Sequence, residues 1–201
     1  PEEVSALITE EEIIMFQELQ IKIKELNNKT NLTRLINGDD YWVSQVFDSI
    51  WPFKTFQNIN FDNKKFLDIG SGCGFPGLAY AITHPTSEIY LVDSSKKKTD
   101  ALKSIIKEIN FKSNIHVINA RVENLAHQSS MRNSFDIATT RAVSNPSTVS
   151  EYILPMLKKE GLGVLYCGKW TDLESKNLEK TLEILEGKFK EKKEILLPKY
   201  K

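Results

Sequence analysis

The chain has 201 residues, 40% of them hydrophobic and 27% charged, with a formal net charge of zero. That composition fits one globular domain large enough to bury a core, and bulk charge announces no nucleic-acid partner, although a local basic patch is compatible with it. Two cysteines, Cys73 and Cys167, outside any Cys-x-x-Cys pair, argue against a disulfide framework or a zinc site, and no apolar run nears the about 20 residues of a membrane span. Thr9-Glu10-Glu11-Glu12 has the form of a capping box. Ile13, Phe16, Ile23 and Leu26, with Leu19 and Ile21 between them, follow at roughly helical spacing, which predicts a helix over about residues 10–27. A second helix starts at Gly38-Asp39-Asp40 and is expected to end at Pro52. The first 60 residues therefore read as a helical extension without strands, and residues 61–201 as the main domain.

From Lys65 the pattern changes to alternating strands and helices. Phe66-Leu67 and Ile69 make a short buried strand that runs into Gly70, Gly72, Gly74 and Gly77. Ile89-Tyr90-Leu91-Val92 is a second strand ending at Asp93, with a helix from Ser94 or Ser95 to about Ile109. Ile115–Ile118, Phe135–Ala138 and Gly161–Tyr166 are further strands. Helices follow Pro146 and span Leu173–Leu185, and Lys192–Leu197 reads as a late strand. This order predicts an α/β fold, a doubly wound and mostly parallel sheet. A start at Pro1 and an abrupt Pro198-Lys199-Tyr200-Lys201 end point to a chain trimmed from a longer one.

The strand–turn–helix at Phe66–Gly77 predicts a nucleotide-like ligand over the strand ends. Gly72-x-Gly74-x-x-Gly77 matches a dinucleotide fingerprint, so a nicotinamide or flavin enzyme is one reading. The fuller string Asp68-x-Gly70-x-Gly72-x-Gly74 favours S-adenosylmethionine, whose ammonium group an acid at the first turn can help hold, directly or through water. Asp93 is placed to accept hydrogen bonds from ribose hydroxyls in either case. Arg121-Val122-Glu123 follows the third strand, where a backbone amide can meet an adenine edge and Val122 its face; an ordinary loop is the plainer alternative. Thr139-Thr140-Arg141-Ala142 follows the fourth. Arg141 there serves either a carboxylate or phosphate through its planar fork or an ordinary salt bridge.

Asn31-Leu32-Thr33, Phe47-Asp48-Ser49-Ile50, Leu67–Gly77 with its Phe75-Pro76-Gly77, Leu91-Val92-Asp93-Ser94, Arg121-Val122-Glu123, Thr140-Arg141-Ala142 and Lys169 occur jointly and in order. Through them the sequence resembles the glucose-inhibited division protein B family, RsmG, bacterial methyltransferases of small-subunit (16S) ribosomal RNA that act on guanine N7. The resemblance implies a Rossmann-like class I fold of seven strands and S-adenosylmethionine as cofactor. It implies cofactor contacts from Gly70, Phe75, Val122, Glu123 and Arg141, to which the residue pattern adds Gly72 and Asp93. The sequence departs from the family pattern in three places: Ser44-Gln45 stands where Arg-His is usual, Cys73 where proline is common, and Trp170 where glycine follows the lysine.

Guanine N7 carries a free lone pair and no proton, so this reaction needs no general base, and no catalytic residue is nominated. His84, His116 and His127 are expected to be structural. Candidate RNA contacts are Arg34, Lys96, Lys97 and Lys169, with a solvated helix face as the plainer reading of such charges. The implied partner is 16S rRNA or the small ribosomal subunit. A cytoplasmic monomer without metal is expected. A non-catalytic RNA- or ribosome-binding assembly factor on the same fold is the alternative.

Overall fold

The computed structural model describes residues 1–56, 58–141, 143–168 and 170–198. Helices α1 (Glu2–Ser5), α2 (Glu10–Thr30) and α3 (Gly38–Tyr41) precede a π-helical turn over Trp42–Phe47 and helix α4 (Asp48–Thr55). Then come β1 (Lys65–Ile69), α5 (Gly77–Thr83), β2 (Glu88–Asp93), α6 (Lys96–Glu108), β3 (Asn114–Asn119), α7 (Val122–Leu125), β4 (Phe135–Arg141), α8 (Pro146–Ile153), a 3₁₀ turn, β5 (Leu157–Tyr166) and α9 (Asp172–Ile184). The five strands lie in the order β3-β2-β1-β4-β5 and all pair in parallel. The chain walks from β1 outward through β2 to β3, then crosses to the other side of β1 at β4. This reversal opens a crevice beyond the carboxyl ends of β1 and its neighbours, where ligands of such sheets bind.

The Thr9 box forms as its spacing predicts. The Glu12 amide donates to the Thr9 hydroxyl at 3.2 Å, and the Thr9 amide donates to the Glu12 carboxylate at 2.8 Å. Phe16, Leu19 and Ile23 of α2 are fully buried. They share one hydrophobic cluster with Tyr41, Val46, Ile50 and Phe53 and with Phe66, Leu78 and Tyr80, so the helical extension closes one face of the sheet. Leu67, Ile69 and Ala138 face the other way, into a cluster with Val149, Ile153 and Met156.

Three expectations are corrected. Pro52 does not end the second helix; it lies inside α4, which runs on to Thr55. Pro52 lacks the amide that would bond the Asp48 carbonyl, and the π turn immediately upstream already departs from the regular ladder, while other carbonyls of this segment take side-chain donors. The Ser49 carbonyl accepts from the Tyr166 hydroxyl at 2.7 Å, and the Ser44 carbonyl from Arg141 Nη1 at 3.1 Å. Lys192–Leu197 forms no strand, so the sheet has five strands among the described residues, one fewer than the six read from the sequence. A strand needs a neighbour for its ladder, and β5 pairs only with β4 here. β4 and β5 are also longer than predicted, so Thr139, Thr140 and Arg141 lie within β4, not after it.

Candidate functional site

Gly70, Gly72 and Gly74 all have positive φ, at 73°, 57° and 105°, so the chain leaves β1 through a turn that side-chain-bearing residues rarely adopt. The Gly70 and Ser71 amides donate back to the Val92 carbonyl at 2.8 and 3.0 Å, locking the turn to the end of β2. Gly77 is needed for packing. A Cβ there would meet Leu91, and Asp68 Oδ2 at 2.8 Å, so the start of α5 can lie on β1 and β2 only without one.

Asp68 is fully buried and does not face the crevice, contrary to the reading that it holds a ligand's ammonium group. Its Oδ2 accepts from the Gly77 amide at 3.1 Å and its Oδ1 from the Thr139 hydroxyl at 3.0 Å. Burial raises its pKa to about 6, against the opposing pull of these hydrogen bonds. Asp68 therefore works as a clasp that ties turn, strand and helix together.

Asp93, at the end of β2, joins two parts of the crevice. Its Oδ2 accepts from the Gly72 amide at 2.9 Å and its Oδ1 from the Ser95 amide at 2.8 Å. The Asp93 backbone carbonyl accepts from the Asn119 side chain at 3.0 Å, which draws in the end of β3. Val122 and Glu123 open α7 directly beyond that strand; Val122 is buried and Glu123 exposed. Gly70, Gly72, Asp93, Val122 and Glu123 thus line adjacent strand ends. The Phe75 ring instead turns inward, edge-on to Tyr41 with centroids 5.8 Å apart, so it can offer a ligand only backbone. The Phe75–Pro76 peptide bond is cis.

Arg141, at the end of β4, is engaged by the helical extension. Nη1 donates to Asp48 Oδ2 at 3.1 Å, to the Ser44 carbonyl at 3.1 Å and to the Ser49 hydroxyl at 3.4 Å, while Nη2 donates to Gln45 Oε1. The salt-bridge alternative is therefore realised, in partly buried form rather than on the surface. Gln45 is itself buried, and its amide nitrogen reaches the Thr33 hydroxyl at 3.0 Å and Cys73 Sγ at 3.5 Å. Two departures from the family pattern, Gln45 and Cys73, are thus in contact. No local signal identifies Gln45 or Asp48 as partners of Arg141, because they lie more than 90 residues away in the chain.

The cradle fits S-adenosylmethionine. A Cβ on Gly72 would meet nothing closer than the Gly70 carbonyl at 3.7 Å, so that side of the turn is open, whereas the corresponding space at Gly70 is taken by Val143 and at Gly74 by Leu78. An acid sits at the end of β2 as a ribose acceptor requires. The basic candidates are less convergent. Arg34 is exposed between α2 and α3; Lys96 and Lys97 are exposed at the start of α6, with Lys96 bonded to Asp100 at 3.1 Å; Lys169 lies outside the described residues, as does Ala142. His84 is buried against Tyr80, and His116 bonds Glu88 at 3.1 Å, as structural histidines would. No helix is long and apolar enough to cross a membrane among the described residues.

The chain resembles known proteins in both sequence and shape. It is 87% identical over its whole length to "Ribosomal RNA small subunit methyltransferase G" of Prochlorococcus marinus strain MIT 9312, covering 85% of that protein. It is 42% identical over 94% of its length to the protein of the same name from strain NATL1A, covering 77% of it. A SAM-dependent O-methyltransferase from Thermotoga maritima superposes with a TM-score of 0.53 at 13% identity, over 81% of this chain and 55% of that one, a likeness of fold. The family model described as "GidB: rRNA small subunit methyltransferase G" matches residues 12–197, and the chain belongs to that family.

Proposed function

We propose that this chain directs methyl transfer to N7 of a guanine, and that it does so by placement alone. Transfer of a methyl group from S-adenosylmethionine to small-subunit rRNA is the activity of its family; the guanine N7 is the finer reading. The bound donor supplies an electrophilic methyl on a positively charged sulfur. Gly72 offers it open backbone and Gly70 the main chain beside it, and Asp93 offers its ribose the carboxylate lone pairs left free by Gly72 and Ser95. Val122 and Glu123 border the position of its adenine, and Phe75 contributes main chain. Arg141 keeps donor capacity beyond its bonds to Asp48 and Gln45 for the donor's carboxylate.

One observation carries the reading of the chemistry. The carboxylates of β1 and β2 at these strand ends are already engaged, Asp68 by Gly77 and Thr139 and Asp93 by Gly72 and Ser95, while exposed Glu123 opens α7 at the adenine end. An acceptor that brings its own lone pair suits such a site, because no proton has to be removed before attack. Rate enhancement then comes from alignment of N7 with the methyl carbon and sulfur. Residues 1–60 serve as the helical extension that fixes Arg141, and residues 61–201 as the methyltransferase domain, acting in the cytoplasm as a monomer without metal. Arg34, Lys96, Lys97 and Lys169 are the basic residues offered to RNA.

The test is a pH profile of single-turnover transfer to unmodified small-subunit rRNA. Placement alone gives a rate that is flat from pH 7 to 9. A rate that climbs tenfold per pH unit across that window means an essential base, and ends this reading.

A further inference from the structure

Among the described residues, one buried side-chain polar atom has no hydrogen-bond partner, and it is Thr140 Oγ1. Thr140 is 3% exposed. Its neighbour Thr139 points to Asp68 on the α5 side of the sheet, so Thr140 points to the α8 side. There it borders a cavity of about 10 Å³ with Val143, Ser144, Pro146, Tyr166 and Cys167, at the carboxyl ends of β4 and β5. A hydroxyl left unpaired in such a place is costly, and an unpaired group in an otherwise satisfied core calls for a reason. Its position supplies one. Thr140 is one residue from Arg141, on the strand beside β1, where a methyl acceptor must come to meet the donor.

The size of the cavity limits what can enter. About 10 Å³ admits a single water-sized group and not a heterocycle. An exocyclic oxygen has that size. On guanine, O6 lies next to N7 on the same edge, and both are acceptors. With N7 directed at the methyl, O6 is the group that lies beside it. We infer that the Thr140 hydroxyl donates a hydrogen bond to O6 of the acceptor guanine and so fixes which ring nitrogen faces the donor.

This inference rests on the guanine-N7 reading. In the reaction the N7 lone pair forms the new N–C bond while the C–S bond breaks, its electron pair staying on sulfur; Thr140 exchanges no proton. The hydrogen bond is made equally in the bound and reacting states, so it contributes to binding of the acceptor more than to turnover.

The test compares wild type with T140V, which keeps the shape and deletes the hydroxyl, and with T140S, which keeps the hydroxyl. Small-subunit rRNA from cells lacking this modification is the acceptor. Wild type must first yield 7-methylguanosine; if it does not, the guanine-N7 reading fails and this inference fails with it. Given that product, T140V is expected to raise KM for rRNA about tenfold with kcat within about twofold, as loss of one neutral hydrogen bond implies. Its melting temperature should be equal to wild type or higher by a few degrees, its melting shift with S-adenosylhomocysteine unchanged, and T140S should restore KM. A T140V enzyme with wild-type KM overturns the inference. So does one whose melting temperature falls with its activity, since a merely structural hydroxyl would behave that way.

Discussion

Replacing Asp48 by asparagine removes the charge that faces Arg141 while keeping the shape and an acceptor oxygen. The oxygen and nitrogen are 3.1 Å apart, with the side chains 28% and 18% exposed. At that distance the bare attraction is about 5 kcal/mol for an effective dielectric of 20. Yet the Asp48 carboxyl is pushed above its ordinary pKa of 3.8, because burial outweighs the pull of Arg141. Ionised Asp48 therefore loses more by leaving water than the guanidinium returns. D48N should then change stability by no more than about 1 kcal/mol, or about 2–4 °C in melting temperature for a chain of this size. D48A is different: it deletes the acceptor and leaves a partly buried guanidinium short of one partner, at about 2 kcal/mol. The sign of the pH dependence follows from the raised pKa. Native Asp48 holds its proton to higher pH than the unfolded chain does, so it lowers stability as pH rises from 3.8 through its folded value, and D48N loses that slope. Equilibrium denaturation in urea reads all of this. A D48N loss above about 3 kcal/mol at pH 7 would mean that the ion pair, not desolvation, dominates, and would refute the reasoning.

Three further changes test other parts of the site. G77A should cost about 2–4 kcal/mol, since its Cβ overlaps Leu91 and crowds Asp68 Oδ2, and a denaturation midpoint equal to wild type would contradict the close packing at the start of α5. Asp68, with a pKa raised to about 6, lowers stability as pH rises from 3.8 to 6, whereas His84, lowered by burial to about 4, lowers it as pH falls from 6.5 to 4. Each effect is about 3 kcal/mol and the two oppose one another, so D68N should lose more stability on acidification from pH 6.5 to 4 than wild type does; parallel curves would disprove the assignment. R141A should weaken S-adenosylhomocysteine binding at least tenfold by calorimetry, and R141K should recover little of it because an ammonium cannot reproduce the planar fork; an unchanged affinity would remove Arg141 from the donor site.

The parts of the fold legible in the sequence are those written within a few residues. The Thr9–Glu12 box, the apolar strand before Gly70 and the acid ending the second strand each need only local chemistry. A second box, Thr171 with Glu174, is equally open to reading, as the Glu174 amide donates to the Thr171 hydroxyl at 3.2 Å. What escapes depends on partners distant in sequence. Pro52 reads as a stop because a proline costs a helix a hydrogen bond, and nothing within a few residues of it shows that the helix runs on to Thr55. Lys192–Leu197 has a strand's composition, but composition carries no information about whether a neighbouring strand is present. Arg141 can be weighed only between ligand and salt bridge, since its partners Gln45, in the π turn, and Asp48, at the start of α4, lie more than 90 residues away in the chain. Asp68 is the instructive case: the sequence places an acid at the turn, and only the packing of Gly77 and Thr139 shows that it faces inward.

The most direct test of the central claim is the identity of the methylated product. Full-length enzyme, radiolabelled S-adenosylmethionine and unmodified small-subunit rRNA are incubated, the RNA is digested to nucleosides, and the label is located by chromatography. The account predicts label in 7-methylguanosine, together with a melting shift of about 5–10 °C when S-adenosylhomocysteine is present at about a hundred times its dissociation constant. Label in any other nucleoside, or none transferred by an enzyme that shows this melting shift, would contradict it.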